Sequence, residues 1–145
     1  MYGTYPYTAT RAKAMKSLLL KKEDYEKLKK MGVSEMARFL GEGQYKRQIE
    51  EMAKYHKGVR LVNLALNENL SFAINKLLMI SSKEAKDLIK LYAGKWVVSN
   101  IKVVMRAKLN NLGKKELDEI VPIEPTTREF CVKLFSSDEP SKLVR

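Results

Sequence analysis

Cysteine, histidine and long apolar runs are all scarce in this sequence of 145 residues. Its single cysteine, Cys131, excludes a disulfide within the chain, and no second Cys or His lies near His56 at a metal-binding spacing. No stretch approaches the roughly 20 apolar residues that cross a bilayer, and no signal peptide opens the sequence. We therefore expect a soluble, cytoplasmic protein with no metal site, no cofactor and no membrane-spanning segment.

Patterns that carry enzyme chemistry are also missing. Gly41 and Gly43 flank Glu42 in a GEG triplet, but a phosphate-binding loop needs GxxxxGK[ST] after a strand, and no strand is predicted there. Tyrosine, lysine and glutamate occur throughout without a paired base or an oriented nucleophile. The sequence therefore predicts no catalytic residue and no enzymatic activity of its own.

Acidic residues are few, with 17 Asp and Glu against 28 Lys and Arg and a net charge of +11. The basic excess is concentrated in residues 11–30, with eight basic and three acidic side chains, and in residues 83–115, with nine and two. From residue 116 onward the sign reverses, with seven acidic and four basic residues. This distribution indicates an acidic partner, which could be nucleic acid, an anionic membrane surface or an acidic protein.

Apolar residues at spacings of three and four predict helices over most of the chain, and the longest covers residues 83–112. Its wide apolar face indicates the central member of an all-α helical bundle, with Ser82 as N-cap and Gly113 as the C-terminal stop. We expect Trp96 to be at least half buried. The face consists of two stripes: Ala85, Leu88, Ile89, Tyr92 and Trp96, then Val97, Ile101, Val104, Met105, Leu109 and Leu112.

The preceding helix, residues 61–80, is the most apolar in the chain, and only a tight turn separates it from residue 83. We expect these two helices to form an antiparallel pair. Shorter helices are predicted upstream, the first of them capped by Thr8 or Thr10.

Two prolines divide the predicted domains. Pro122 and Pro125 predict an extended linker, because a proline disfavours helix at the residue before it. We therefore expect a helical domain over residues 1–121, and a linker with the beginning of a second helical unit over residues 122–145. That unit, capped by Thr126 or Thr127, would carry the apolar face of Phe130, Leu134 and Phe135. These elements are too short for a core of their own, so they either fold back on the bundle or need further sequence to cover this face. We expect residues 126–145 to be the least ordered.

Two polar stripes are candidate partner contacts. Lys95, Lys102 and Arg106 are seven and four residues apart, which places three positive charges along one side of the long helix. They form either a solvated basic face or a docking stripe for an acidic surface. The helix before it carries Asn63, Asn67, Ser71 and Asn75 at four-residue steps. These side chains either hydrogen-bond across a buried helix contact or face water.

Several segments, in order, resemble a known family: YPYTATRAKAMKSLLL, then SEMARFL, NLALNENL and KWVVSNIKVVMRAK. They are similar to the N-terminal part of the C subunit of archaeal and bacterial A/V-type ATP synthases, counterpart of the eukaryotic V-type ATPase d subunit. The resemblance implies an all-helical protein built from three similar units that couples the rotating central stalk to the membrane proteolipid ring.

The resemblance further implies no catalytic site and no bound nucleotide. The protein would lie on the cytoplasmic face of the membrane, as a peripheral part of a complex that links ATP synthesis to proton or other ion transport. The chain departs from the family at Val97, where an acidic residue is common, at Ala107, where glycine is common, and in its shorter length.

A second function from another class also fits the composition. A small, basic, helical protein with tyrosines ahead of its first helix could bind nucleic acid, by pairing lysine and arginine with phosphates and stacking tyrosine on bases. We consider nucleic acid the less favoured partner.

Overall fold

The structure, a computed structural model, describes residues 4–124 and 126–137. Within these ranges the chain forms seven α-helices, one 3₁₀-helix and no β-strand, which confirms the predicted all-α class. The α-helices are Thr4–Ser17 (α1), Lys22–Leu28 (α2), Val33–Gly41 (α3), Lys46–Ala53 (α4), Gly58–Ile80 (α5), Lys83–Leu109 (α6) and Arg128–Ser136 (α7), and the 3₁₀-helix is Lys114–Glu119.

The two longest helices, α5 and α6, form the hairpin that the sequence predicts. Only Ser81 and Ser82 separate them, and Ser82 caps α6 by accepting a hydrogen bond from the Ala85 N–H at 3.4 Å. Ile74 of α5 and Ala93 of α6 are buried in one cluster. Trp96 packs against this cluster and is mostly buried, as expected.

The end of α6 differs from the prediction. The helix stops before Gly113, because Asn111 adopts the left-handed conformation with φ of 52°. The Leu112 N–H then donates to the Ala107 carbonyl at 2.8 Å, and the Asn111 N–H donates to the Lys108 carbonyl at 3.1 Å. This pair of hydrogen bonds is a Schellman motif, in which asparagine replaces the usual glycine because it tolerates positive φ better than other non-glycine residues.

The N-terminal half of the chain packs on one end of α5. Helices α3 and α4 contact α5 through a cluster of Leu40, Ile49 and Ala65. Helix α1 begins at Thr4, so the expectation that Thr8 or Thr10 caps it is wrong. The Thr8 hydroxyl instead donates to the Ile80 carbonyl at 3.2 Å, which joins α1 to the end of α5.

The C-terminal helix α7 folds back onto α6. Cys131 and Leu134 are buried in a cluster with Val104, Leu117 and Ile120, and Phe130 and Phe135 pack against it. Because α6 and the 3₁₀-helix cover this face, the structure shows the first of the two alternatives, in which these elements fold back on the bundle. Thr127 caps α7 by accepting from the Phe130 N–H at 3.2 Å. Residues 138–145 of the expected least ordered segment lie outside the described residues, and the predicted domain boundary stays a prediction.

The face that α6 buries is narrower than the sequence predicts. The predicted apolar face includes Leu88, Tyr92, Leu109 and Leu112, but all four are exposed. The buried side chains of α6 are small or polar: Ala85, Ala93, Asn100, Val104 and Ala107. Ile89, Trp96 and Val103 are partly buried against the core clusters, and the other large apolar side chains named above lie on the outside of the hairpin.

Candidate functional site

The outer face of α6 carries the predicted basic stripe. Lys95, Lys102 and Arg106 are all exposed on this face, and within the described residues none of them forms an ion pair with a carboxylate. Lys102 and Arg106 are free to meet an acidic surface, and their role as partner contacts stays a prediction.

Lys95 is held differently, because its ammonium group lies over two aromatic rings. It is 4.3 Å from the centre of the Tyr92 ring and 4.2 Å from that of the Trp96 ring, and it donates to the Tyr92 hydroxyl at 3.2 Å. The two rings meet edge to face at 5.5 Å. These contacts are favourable cation–π geometry, and they fix the position of one charge of the stripe.

Large apolar side chains lie beside the basic stripe. Leu91 is 80% exposed and Leu88 and Tyr92 are each 64% exposed, and Val98 and Leu109 extend the apolar surface along the helix. Single exposed apolar residues are normal on a protein surface, but several along one helix form a patch of the kind that marks an interaction site. We name the exposed side of α6 formed by these residues, Lys95, Lys102 and Arg106 the outer face.

The amide stripe of α5 has a role that neither sequence-based alternative anticipated. Asn67 donates to the Glu119 carbonyl at 3.1 Å, and Ser71 and Asn75 donate to the Pro122 carbonyl at 2.7 and 3.1 Å. The stripe thus holds the backbone of residues 119–123, which we name the strap. Asn63 is exposed. The predicted partner contacts of Asn63, Asn67 and Asn75 remain untested.

Asn100 of α6 holds the other side of the strap. Its amide donates to the Val121 carbonyl at 2.6 Å and to the Thr126 hydroxyl at 2.9 Å, and its carbonyl accepts from the Val121 N–H at 2.9 Å. Asn100 is 2% exposed, so these bonds are made away from water. The Thr126 hydroxyl in turn donates to the Ile123 carbonyl at 2.9 Å, and every polar group in this network has a partner.

Sequence reasoning missed Asn100 as an organising residue, although a signal for it existed. On a helix, position 100 falls between Trp96, Val97 and Val104, in the middle of a predicted apolar face. An asparagine placed there must either be left unsatisfied or bind buried backbone. Here it binds the extended segment that the two prolines produce.

Two ion pairs fasten the same region at its edges. Arg60 lies 3.6 Å from Asp118, and its guanidinium donates to the Lys115 carbonyl at 3.0 Å. Arg128 lies 3.3 Å from Glu68 and joins α7 to α5. Both pairs are partly exposed, so they add little stability and serve mainly to fix orientation.

The chemistry available in the described residues is limited. Burial raises the pKa of the Cys131 thiol, with a smaller opposing effect from Arg128, so the thiol stays protonated near neutral pH. In the ranges that the structure describes, no group of three or more His, Cys, Asp or Glu side chains could hold a metal ion. No helix in that part of the chain is long and apolar enough to cross a bilayer.

The described residues thus form a helical bundle with a hydrogen-bonded polar network around the strap and an outer face of apolar and basic side chains. Comparison with known proteins gives the family. The chain belongs to the ATP synthase (C/AC39) subunit family, whose model matches residues 8–145. This match confirms the resemblance that the four segments indicate.

Several relatives are C subunits of archaeal A-type ATP synthases. The protein of Methanosarcina acetivorans is 41% identical over 133 residues, which are 91% of this chain and 37% of that protein. Its counterpart in Methanococcoides burtonii is 36% identical over 143 residues, covering 98% and 40% of the two chains. The Archaeoglobus fulgidus protein is 38% identical over 137 residues, covering 94% and 40%.

The chain thus spans about two fifths of the length of the curated relatives it matches. No solved structure matches it significantly. The two positions at which the resemblance suggests a departure lie within α6, where Ala107 is buried and Val97 is partly buried.

Proposed function

We propose that this chain is a non-catalytic part of the central stalk of a rotary A/V-type ATP synthase. In this role it couples the rotating stalk to the membrane proteolipid ring while ions cross the membrane. The observation that carries the proposal is the family match over residues 8–145, together with relatives that are named as the C subunit of the A-type ATP synthase. Its partners are the other stalk subunits and the ring, and its place is the cytoplasmic face of the membrane.

A stalk component needs rigid connections between its helices, because a flexible element would deform under torque and would not transmit it. The strap supports this requirement, since it is held from α5 by Asn67, Ser71 and Asn75 and from α6 by Asn100. These hydrogen bonds join the long hairpin to the chain that leads into α7. The arrangement favours a body that moves as one unit.

The outer face of α6 is the surface we assign to a partner in the stalk. A helix of 27 residues is roughly 40 Å long, enough to lie along a second helix over several turns. Its exposed leucines offer apolar area, and Lys102 and Arg106 offer charge that an acidic flank would match. The partner we propose is therefore an amphipathic helix with acidic residues beside its apolar stripe.

Co-purification from native membranes tests both the stalk role and the surface. A tagged chain should bring down stalk and ring subunits that can be identified by mass. Lys102→Glu with Arg106→Glu reverses two charges on the outer face and should weaken this recovery. The control variant, Lys27→Glu with Lys30→Glu, makes the same change of net charge at two exposed lysines, one in α2 and one just after it. It should leave recovery intact.

Recovery of no part of the ATPase would contradict the stalk role, whereas equal loss in both variants would contradict only the choice of surface. Two further measurements address the other classes of function. The purified chain should hydrolyse no ATP above background. It should not retard nucleic acid at low salt, where binding through phosphate contacts is strongest.

A further inference from the structure

A second exposed patch lies where the end of α1 meets α5. Leu18 and Leu19 are 62% and 56% exposed in the turn after α1, and Phe72 of α5 is 47% exposed beside them. Together they line a groove of about 350 Å³ between the two helices. We name Leu18, Leu19 and Phe72 the leucine patch.

The backbone fixes the leucine patch in place. The Leu18 and Leu19 N–H groups donate to the carbonyls of Met15 and Lys16 at 3.2 and 3.1 Å. The next residue, Leu20, turns inward and packs against the cluster of α3, α4 and α5. Of three consecutive leucines, one therefore anchors the turn and two project into solvent.

Lysines surround the patch. Lys16, Lys21 and Lys22 flank the two leucines in sequence and are exposed, and the Lys76 ammonium lies 5.4 Å from the centre of the Phe72 ring. Within the described residues none of these four ammonium groups pairs with a carboxylate. The residues that line the groove include no Asp or Glu.

Acidic residues follow the patch at Glu23, Asp24 and Glu26, and Asp24 and Glu42 line a neighbouring pocket with Leu18 and Leu19. Asp24 accepts from the Lys21 N–H at 2.9 Å, and Glu26 pairs with Lys29 at 2.7 Å. Upstream, residues 1–22 hold five basic side chains and no acidic one. The groove between α1 and α5 is therefore basic, while two carboxylates, Asp24 and Glu42, lie in the neighbouring pocket.

We propose that the leucine patch docks on an anionic phospholipid surface, with the lysines near headgroup phosphates and the apolar side chains in the interfacial region. A few leucines beside several lysines are enough for reversible attachment to a bilayer, which needs no matching contour. A stable protein interface usually buries about 800 Å² on each partner, whereas reversible attachment to a bilayer needs no contact of that size. The contact is separate from the outer face of α6 and from the stalk role.

Sedimentation of the full 145-residue chain with vesicles tests the proposal. The chain should bind vesicles of equal parts phosphatidylcholine and phosphatidylglycerol, fail to bind phosphatidylcholine alone, and be released by salt. Replacing Lys16, Lys21 and Lys22 with glutamine should lower the partition coefficient about a hundredfold, at roughly fivefold for each charge near the surface. Leu18→Ser with Leu19→Ser should lower it by at least about tenfold.

A matched control removes three exposed lysines elsewhere, by changing Lys54, Lys57 and Lys115 to glutamine. Lys57 precedes α5, and Phe72 lies roughly 20 Å further along that helix, well beyond the screening length at physiological salt. The control should change binding by less than about threefold. All variants should keep the helical circular dichroism and unfolding midpoint of the parent chain.

A fluorescent label at residue 19 tests whether the leucine patch itself contacts the vesicle. Leu19→Cys can be labelled with an environment-sensitive fluorophore while the native Cys131, which is fully buried, stays unlabelled. The label should shift to the blue on anionic vesicles only. Equal loss of binding in the control, binding unchanged in both patch variants, or an unshifted label would overturn the proposal. Binding to an acidic protein but to no vesicle would overturn it as well.

Discussion

Replacing Asn100 with alanine removes the side chain that joins α6 to the strap. The Val121 N–H and carbonyl, which bond to Asn100 at 2.9 and 2.6 Å, would both lose their partner. Val121 is only 7% exposed, so water cannot easily replace the lost bonds. The Thr126 hydroxyl would keep its bond to Ile123 and lose only a donor.

The expected loss of stability follows from the Val121 N–H and carbonyl, which are left without a hydrogen-bond partner. A buried group left without its hydrogen bond costs about 1–3 kcal/mol, so we expect Asn100→Ala to destabilise the fold by about 2–5 kcal/mol. The higher helix propensity of alanine returns roughly half a kcal/mol of this. Since domains are stable by only about 5–15 kcal/mol, the loss should be large. Asn100→Asp should cost at least as much, because it places an oxygen against the Val121 carbonyl.

Urea unfolding followed by circular dichroism and by Trp96 fluorescence measures the effect. Trp96 packs against the cluster that contains Val121 and Ile123 of the strap, so its emission should respond when the strap detaches. We expect the midpoint to fall by about 1 M or more. Asn63→Ala, an exposed asparagine on α5, should stay within about 0.5 kcal/mol of the parent. A similarly small change for Asn100→Ala would refute the argument that this side chain organises the strap.

Two further predictions concern α7. Cys131 should react with thiol reagents only on unfolding. Because burial raises the pKa of its thiol in the folded chain, the unfolded chain releases the proton first, and stability should fall as pH rises above about 9. Cys131→Ala should reduce this slope, and burial of Tyr45, which also raises its pKa, accounts for a part that remains. Rapid labelling of the folded chain would contradict the buried placement. In native-state hydrogen exchange, the Cys131 amide, which donates to Thr127 at 3.0 Å, should be protected to a similar degree as amides in the middle of α6. Exchange at the rate of an unfolded peptide would show that α7 does not stay docked.

Much of the secondary structure was predictable because its causes are local. The apolar spacing, the cap at Ser82 and the cap at Thr127 all act within one or two helical turns, and the structure confirms them. The short turn between α5 and α6 also determines that these helices are neighbours. The residue that ends α6 was predicted to be Gly113 but is Asn111. Both residues tolerate positive φ, and only the folded backbone shows which of them adopts it.

The sequence by itself thus determined the helical class, the hairpin of α5 and α6 and, through its ordered segments, the family. Only the tertiary structure decided which side of α6 is buried, because an apolar pattern that covers most of a helix does not say where the neighbours lie. The partner of Asn100 was likewise hidden, since Val121 is 21 residues away in the chain and reaches it only when the strap is in place. Local rules specify elements from nearby residues, but a hydrogen bond between distant residues depends on the packing of everything between them.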